Sequence, residues 1–345
     1  MILQEKKKFI IILVFLFLLV GCSSNKTNNV KLETGYKLGT VVKIKIYDQE
    51  AKKLIKESFE LLDEVENKMS SHIAESEINK INRQAGQQVV KVSADTYYVL
   101  KKALKYARLS QGVFDPTVGP LVRLWRIGTK EEQIPQEKEL KKRLKLVDYS
   151  ELKLKSEGRV FLTKEGMKLD VGGIAKGYAA DKIIDYLKEK DVQSAYIDIG
   201  GNVSVLGSKP DNDFWQVGIQ DPKKDRGKVL AAIGVKDKTI VTSGNYERYF
   251  MKNGKRYHHL LNPNTGYPAR KDIISATVVT NNSLQADALS TAVYILGSKE
   301  GLSLINKLDD VEALLVTRNN RIYLTSGLKG QVEILAKNNY QVRGQ

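Results

Sequence analysis

Apolar positions along the chain change their period several times, and each change predicts an element. Phe9 to Val20 is an unbroken apolar run directly behind Lys6, Lys7 and Lys8. As a helix that run reaches only ~18 Å, well short of the ~30 Å hydrocarbon layer of a bilayer. A basic start followed by a short apolar run reads as a secretory signal over residues 1–21, not as a membrane span. Ser23 to Asn29 is small, polar and without period, so residues 22–35 read as a flexible tether. Alternation and β-branching then predict a strand over Thr40–Tyr47. Leu54, Leu61, Leu62, Val65 and Met69 recur near helical spacing and predict an amphipathic helix over 51–69. Ser93 is placed to cap a second helix carrying Tyr97, Leu100, Leu104 and Ala107.

Further along, short strands are expected around 152–155, 160–163 and 167–171, then a helix from about 174 to 189. A strand over 196–199 closes on Gly200-Gly201-Asn202, and another over 248–251 runs into Asn253-Gly254, a strong hairpin-turn signal. Helices over 283–295 and 299–308 and a hairpin around 311–325 complete the pattern. This order is neither a βαβ series nor all-β. It predicts one α+β domain over 36–335, with helices packed on a mixed or antiparallel sheet and residues 336–345 as a tail.

Composition narrows the chemistry. The 345 residues include one Cys and three His, which excludes an intrachain disulfide, a CxxC metal site and a His-rich cluster. The formal net charge is +16, which favours solubility and attraction to anionic head groups. Nucleic acid is not an expected partner, because no basic-aromatic module of a known type is present. The Lys-rich stretch over 130–145 reads as a solvated helix face. Cys22 stands directly after Leu19-Val20-Gly21 and so resembles the lipobox of bacterial lipoproteins. Diacylated there, the chain would be anchored at the extracytoplasmic face of the cell membrane.

Four clusters combine Gly, Asp and hydroxyl residues in ways a core does not need. Gly112-Val113-Phe114-Asp115-Pro116-Thr117-Val118-Gly119-Pro120 fixes a loop shape, or simply a capped turn. Asp170-Val171-Gly172-Gly173-Ile174-Ala175-Lys176-Gly177 lies where a strand is expected to enter a helix, a place that suits an anion or a tight turn. It is neither a Walker A loop nor G-x-G-x-x-G. His259-Leu260-Leu261-Asn262-Pro263-Asn264-Thr265-Gly266 pairs a general-base candidate, or a packed His, with a turn. Asp287, Ser290 and Thr291 share one helical face. Their oxygens suit a hard cation such as Mg²⁺, although Ser and Thr in helices also bond back to the preceding turn.

In this order the four clusters resemble the ApbE family, the FAD:protein FMN transferases. The resemblance runs from Leu38-Gly39-Thr40 to about Ile295 and includes Met69-Ser70-Ser71-His72, Ser76-Glu77 and Tyr196 to Asn202. It implies an enzyme that uses FAD as substrate with Mg²⁺ and transfers FMN to a Thr or Ser hydroxyl of an acceptor flavoprotein, releasing AMP. The acceptor it implies belongs to a membrane or surface redox system. Carried over residue by residue, the resemblance gives Mg²⁺ to the Gly173 carbonyl, Asp287, Thr291 and Ser290. It gives FAD contacts to Leu38, His72, Val113, Phe114, Asp115, Asp170, Lys176 and the Leu261 backbone. His259 is then the candidate base. Two positions depart from the family pattern: His72 stands where Tyr or Phe is usual, and Asn262 where Asp is usual.

Overall fold

The computed structural model describes residues 30–344. The signal sequence, Cys22 and the first part of the tether lie outside the described residues. The expected tether ends before residue 35. Val30–Lys37 is strand β1, paired antiparallel with β2 (Thr40–Tyr47) along its whole length. Leu38 and Gly39 turn this hairpin, both with positive φ (53° and 68°). The Leu38 amide donates to Glu66 Oε2 at 3.0 Å, which holds a residue that carries a Cβ in that conformation.

The chain continues through helices α1 (Ala51–Met69) and α2 (Glu77–Arg83), strand β3 (Val90–Lys91) and helix α3 (Ala94–Leu109). Helices α4 (Gly119–Trp125) and α5 (Glu137–Leu144) precede the hairpin β4 (Leu152–Lys155) and β5 (Arg159–Leu162). Helix α6 (Ala175–Glu189) leads to β6 (Ala195–Ile199), β7 (Asn202–Leu206), β8 (Trp215–Gln220), β9 (Val229–Val235) and β10 (Thr239–Gly244). The hairpin β11 (Tyr249–Lys252) and β12 (Lys255–His258) is followed by β13 (Ile273–Thr280), α7 (Ser283–Leu296) and α8 (Ser298–Ile305). Strands β14 (Glu312–Thr317), β15 (Arg321–Leu324), β16 (Val332–Ile334) and β17 (Gln341–Gly344) close the chain.

Nine strands form the central sheet in the order β1-β2-β6-β7-β10-β13-β14-β15-β17. Every pairing is antiparallel except β15 with β17. The expected α+β class is therefore what the chain adopts. Alternation along the strands divides the core. On β14, Ala313 and Leu315 face the helices, while Leu314 and Val316 face a small sheet of β16, β9 and β8. On β13 a register shift after Ile273 resets the alternation, so that Ile273, Ala276 and Val278 all join the helical side. The result is three layers: helices, large sheet, small sheet. Among the described residues no helix is long and apolar enough to cross a membrane.

Two further expectations need correction. Residues 336–344 of the expected C-terminal tail pack onto the domain. Tyr340 is buried with its hydroxyl donating to Asp221 Oδ1 at 2.6 Å, and β17 adds to the large sheet. Residues 167–171 are not a regular strand. Lys168 makes one isolated bridge to Val118, and Asp170 N–H donates to the Pro116 carbonyl at 2.9 Å. A Cβ on Gly119 would stand 2.5 Å from the Lys168 carbonyl oxygen, so glycine sets this close approach of two loops.

Candidate active site

Helices α6 and α7 meet at their N-termini, and that crossing organises the site. A Cβ on Gly177 would lie 2.2 Å from the Ser283 carbonyl oxygen, so only glycine lets the two backbones touch. Asp181, one turn further along α6, locks the crossing. Its carboxylate accepts from Ser283 N–H (2.7 Å), Leu284 N–H (2.9 Å) and Asn282 Nδ2 (2.8 Å). Burial raises the Asp181 pKa to about 6 despite those bonds.

The crossing places Asp287 against the start of α6. Asp287 is buried; its Oδ2 accepts from Gly177 N–H at 3.0 Å, and Lys176 Nζ lies 3.3 and 3.4 Å from its two oxygens. Lys176 also donates to the Gly172 carbonyl at 3.2 Å, so it bridges the glycine loop and α7. Gly173 is bounded on its Cβ side by the Phe114 ring at 3.3 Å and Thr291 Oγ1 at 3.5 Å. Asp170 shapes the same loop by accepting from Gly172 N–H at 2.9 Å. Phe114, Gly173, Lys176, Asp287 and Thr291 thus converge from three separate stretches of chain.

Ser290 turns the other way. Its Oγ meets Ser243 Oγ at 2.9 Å and donates to the Asp287 carbonyl at 3.0 Å, while Ser243 Oγ also lies 3.4 Å from Thr291 Oγ1. One carboxylate, a hydroxyl and a nearby peptide carbonyl are hard oxygen donors. That set fits Mg²⁺, which keeps waters and phosphate oxygens for the rest of its octahedron. No group of three or more His, Cys, Asp or Glu side chains suited to a metal occurs among the described residues.

The adjacent histidines take opposite roles. Strand alternation turns His258 inward, where its Nε2 faces the Ala269 carbonyl at 3.0 Å and its ring meets Tyr294 edge-on. Burial lowers its pKa to about 4. His259 is half-buried, and its Nδ1 lies 3.2 Å from the Arg248 carbonyl. A carbonyl only accepts, so Nδ1 carries the proton and Nε2 keeps the lone pair. Burial is the main cause that holds His259 well below the usual imidazole range, with His258, Arg248 and Lys176 adding to it. Arg248 in turn donates to the Gly39 carbonyl at 3.2 Å, which ties the Leu38–Gly39 turn to the same neighbourhood.

The remaining expected residues divide. Asp115 is buried and fully occupied: Oδ1 accepts from Thr117 N–H (2.7 Å) and Oγ (2.6 Å), and Oδ2 from Tyr149 N–H (3.0 Å). It shapes the loop that carries Val113 and Phe114, both buried. Leu261 is buried and bridged to Pro268. Asn262 Oδ1 accepts from Asn264 N–H at 2.8 Å, a turn-closing task that needs an acceptor oxygen but no charge. His72 is exposed, and its amide donates to Ser70 Oγ at 3.2 Å. Sequence reasoning missed Ser243, Arg248 and Asp181. The spacing of Asp181 from Gly177 was the only available signal; a single Ser or Arg in a strand-rich region carries none.

The fold has solved counterparts. The ApbE family model matches residues 38–315. The chain belongs to the ApbE family. A curated relative from Klebsiella pneumoniae, named FAD:protein FMN transferase, is 35% identical over 84% of this chain and 90% of its own length. One of the same name from Treponema pallidum is 34% identical over 86% and 87%. Among solved structures, the ApbE protein of Thermotoga maritima superposes with a TM-score of 0.82 at 33% identity, covering 88% of this chain and 99% of its own. The flavin transferase ApbE of Vibrio cholerae gives 0.80 at 28% identity, with the same coverage.

Proposed function

We propose that this enzyme of the transferase class moves the FMN half of FAD onto a Thr or Ser hydroxyl of an acceptor protein, releasing AMP, and that it requires Mg²⁺. The observation that carries this reading is the convergence of Gly173, Lys176, Asp287 and Thr291 at the α6–α7 crossing.

Asp287, Thr291 and the Gly173 carbonyl are the groups that would hold Mg²⁺, with Ser290 fixing the turn beneath them. Bound there, the ion supplies neutralisation of the diphosphate charge as the bond to AMP breaks. Lys176 adds a fixed positive charge on the glycine-loop side, and the start of α6 adds its dipole. The acceptor hydroxyl attacks the FMN-side phosphorus in line while Nε2 of His259 takes its proton. The phosphorus–oxygen bond to the AMP phosphate breaks, and AMP leaves. The depressed His259 pKa keeps the imidazole neutral near pH 7, as a base must be. Phe114, Asp170 and Lys176, at or beside the glycine loop, are the groups best placed to contact FAD, with Leu38, Val113 and the Leu261 backbone proposed alongside them.

The chain is further read as a lipoprotein, diacylated on Cys22 and working outside the cytoplasm. The apolar run ending in Gly21-Cys22 supports that reading. Mass spectrometry of the membrane fraction should find the mature N-terminus at Cys22, and Cys22→Ser should leave an unprocessed precursor.

The decisive assay incubates the protein with FAD, Mg²⁺ and candidate acceptors, then follows AMP release and covalent flavin fluorescence in denaturing gels. Covalent flavin with stoichiometric AMP is expected. AMP without covalent flavin on any acceptor would make the chain an FAD pyrophosphatase, and intact FAD a flavin carrier.

A further inference from the structure

The small sheet covers the large one only in part. Its strand β8 begins at Trp215, whose ring meets Tyr47 of β2 (6.0 Å between centroids) and Tyr196 of β6 (5.7 Å). Beyond those tyrosines the same face continues onto the outer hairpin β1–β2. The ladder register fixes which residues share it: Val30 is opposite Tyr47, Leu32 opposite Lys45, Thr34 opposite Lys43 and Tyr36 opposite Val41. The other side of β1 is packed on α1, where Gly35 lies against the Phe59 ring and Lys37 pairs with Asp63.

The uncovered side is apolar where a sheet face in water is ordinarily polar. Val30 is 44% exposed, Leu32 57%, Tyr36 70% and Val41 49%. Phe214, the residue before Trp215, is 59% exposed, so an apolar side chain also stands at the adjoining end of the small sheet. An edge strand with an exposed apolar row is an aggregation hazard, and burial in the core does not account for these side chains. Cations accompany them. From Cys22 to Lys45 there are five Lys and one Glu. Lys45 holds its ammonium 4.8 Å from the Tyr47 ring centre, and Lys43 is opposite Asp198, whose Oδ1 accepts from Gly201 N–H at 2.7 Å.

The point where the chain enters the fold selects what covers this face. Val30 starts β1, and its ladder partner Tyr47 touches Trp215, so the chain enters at the corner where the hairpin meets the small sheet. Cys22 to Asn29 is eight residues, which span at most ~29 Å even when fully extended. A lipid on Cys22 keeps a bilayer within that distance of the exposed side chains. We infer that this corner rests on the membrane, with Leu32, Tyr36, Val41 and Phe214 in the head-group region and Lys43 and Lys45 facing anionic lipid phosphates. Tyr and Phe suit that depth, and Lys is drawn to an anionic leaflet. Attachment through Cys22 makes the contact intramolecular in effect, so a weak affinity of the face is enough to orient the domain. This inference rests on the lipid-anchor reading of Cys22, and its test keeps the two apart.

The test uses the full mature lipoprotein in phosphatidylcholine–phosphatidylglycerol vesicles, with acylation of Cys22 checked by mass spectrometry. Acylation of the one Cys leaves no free thiol, so Leu32→Cys and Lys56→Cys can each carry a single fluorophore. Lys56 is exposed on α1, the helix on the other side of the same hairpin. Brominated lipid should quench the label at position 32 about threefold more than the label at position 56. That ratio should fall by about half in phosphatidylcholine alone or at high salt. Lys43→Glu/Lys45→Glu in the labelled Leu32→Cys chain should lower it to a similar extent, with FAD binding unchanged as the check on folding. Equal quenching at the two positions in an acylated chain would overturn the inference and leave the anchor reading standing. So would a label at position 32 that is shielded from lipid while that position cross-links to a second copy, which would assign the face to a dimer. A mature chain without lipid on Cys22 would overturn the anchor reading, and the membrane inference with it.

Discussion

The two faces of the large sheet are covered by different materials. The helical face buries Ile44, Ile197, Val278 and Leu315 under α1, α6 and α7, and it also buries Asp287, Ser290, Asn79 and Asn82. The opposite face packs Val205, Ile240, Leu314 and Val316 against Trp215, Val217, Leu230 and Ile233 of the small sheet. That second core is apolar almost throughout, and its paired strands satisfy their own backbone groups. Helix N-termini leave amides unpaired, so a helical layer can direct backbone donors and side chains to one point. The chemistry sits on the face that can concentrate polar groups, while the other face contributes burial.

Substitutions on the two faces should separate rate from stability. Asp287→Ala should lower AMP release by about a hundredfold or more, since it removes the only carboxylate of the candidate metal group. Its circular dichroism should match the wild type; near-normal rates at low Mg²⁺ would end the metal assignment. Leu314→Ala, at a wholly buried position of the apolar face, should cost about 3 kcal/mol in urea unfolding. Turnover per folded molecule should not change, and a rate defect there would mean the two faces are coupled.

Gly177→Ala tests the crossing itself. The added Cβ has no room beside Ser283 O, so the helices must separate, at about 1–3 kcal/mol. Rate should fall together with stability, unlike in Leu314→Ala. Thr291→Ala should be milder, about tenfold in rate at low Mg²⁺, and excess Mg²⁺ should restore it because water can replace a neutral hydroxyl. The smallest effect expected is in the pH profile. His259 has a folded pKa below the ordinary 6.5, so its lone pair persists as pH falls through 6.5. The ratio kcat/KM should stay level there and decline only at lower pH; a limb centred at 6.5 would remove His259 as the base.

Much of this was legible in the chain. The helix predicted over 51–69 is α1 as formed, and Ser93 caps α3 by accepting from Thr96 N–H. Asn253 and Gly254 both adopt positive φ in the expected hairpin turn. Local signals such as caps, periods and turn residues act within one or two turns of chain, and these elements depend on little else. The reading failed where a distant segment decides the outcome. Residues 167–171 look like a strand but lie against the loop of Pro116 and Gly119. The tether bound at residue 35 failed for a local reason: the polar run stops at Asn29, and the alternating Val30-Lys31-Leu32-Glu33 pairs with the next strand, β2.

The candidate site divides along the same line. That Asp287, Ser290 and Thr291 share a helical turn follows from 3.6 residues per turn, and family resemblance added the roles. That Ser290 faces Ser243 while Asp287 faces Lys176 and Gly177 could not be read from either segment. Those contacts exist because two glycine-permitted helix ends cross, more than 100 residues apart in the chain. The same holds for the two histidines: their identity is written in the sequence, but their protonation pattern depends on which carbonyl the fold sets beside each ring. Side-chain chemistry and local conformation are properties of neighbouring residues. Charge pairing, burial and tautomer depend on long-range packing, so only the tertiary structure decided them.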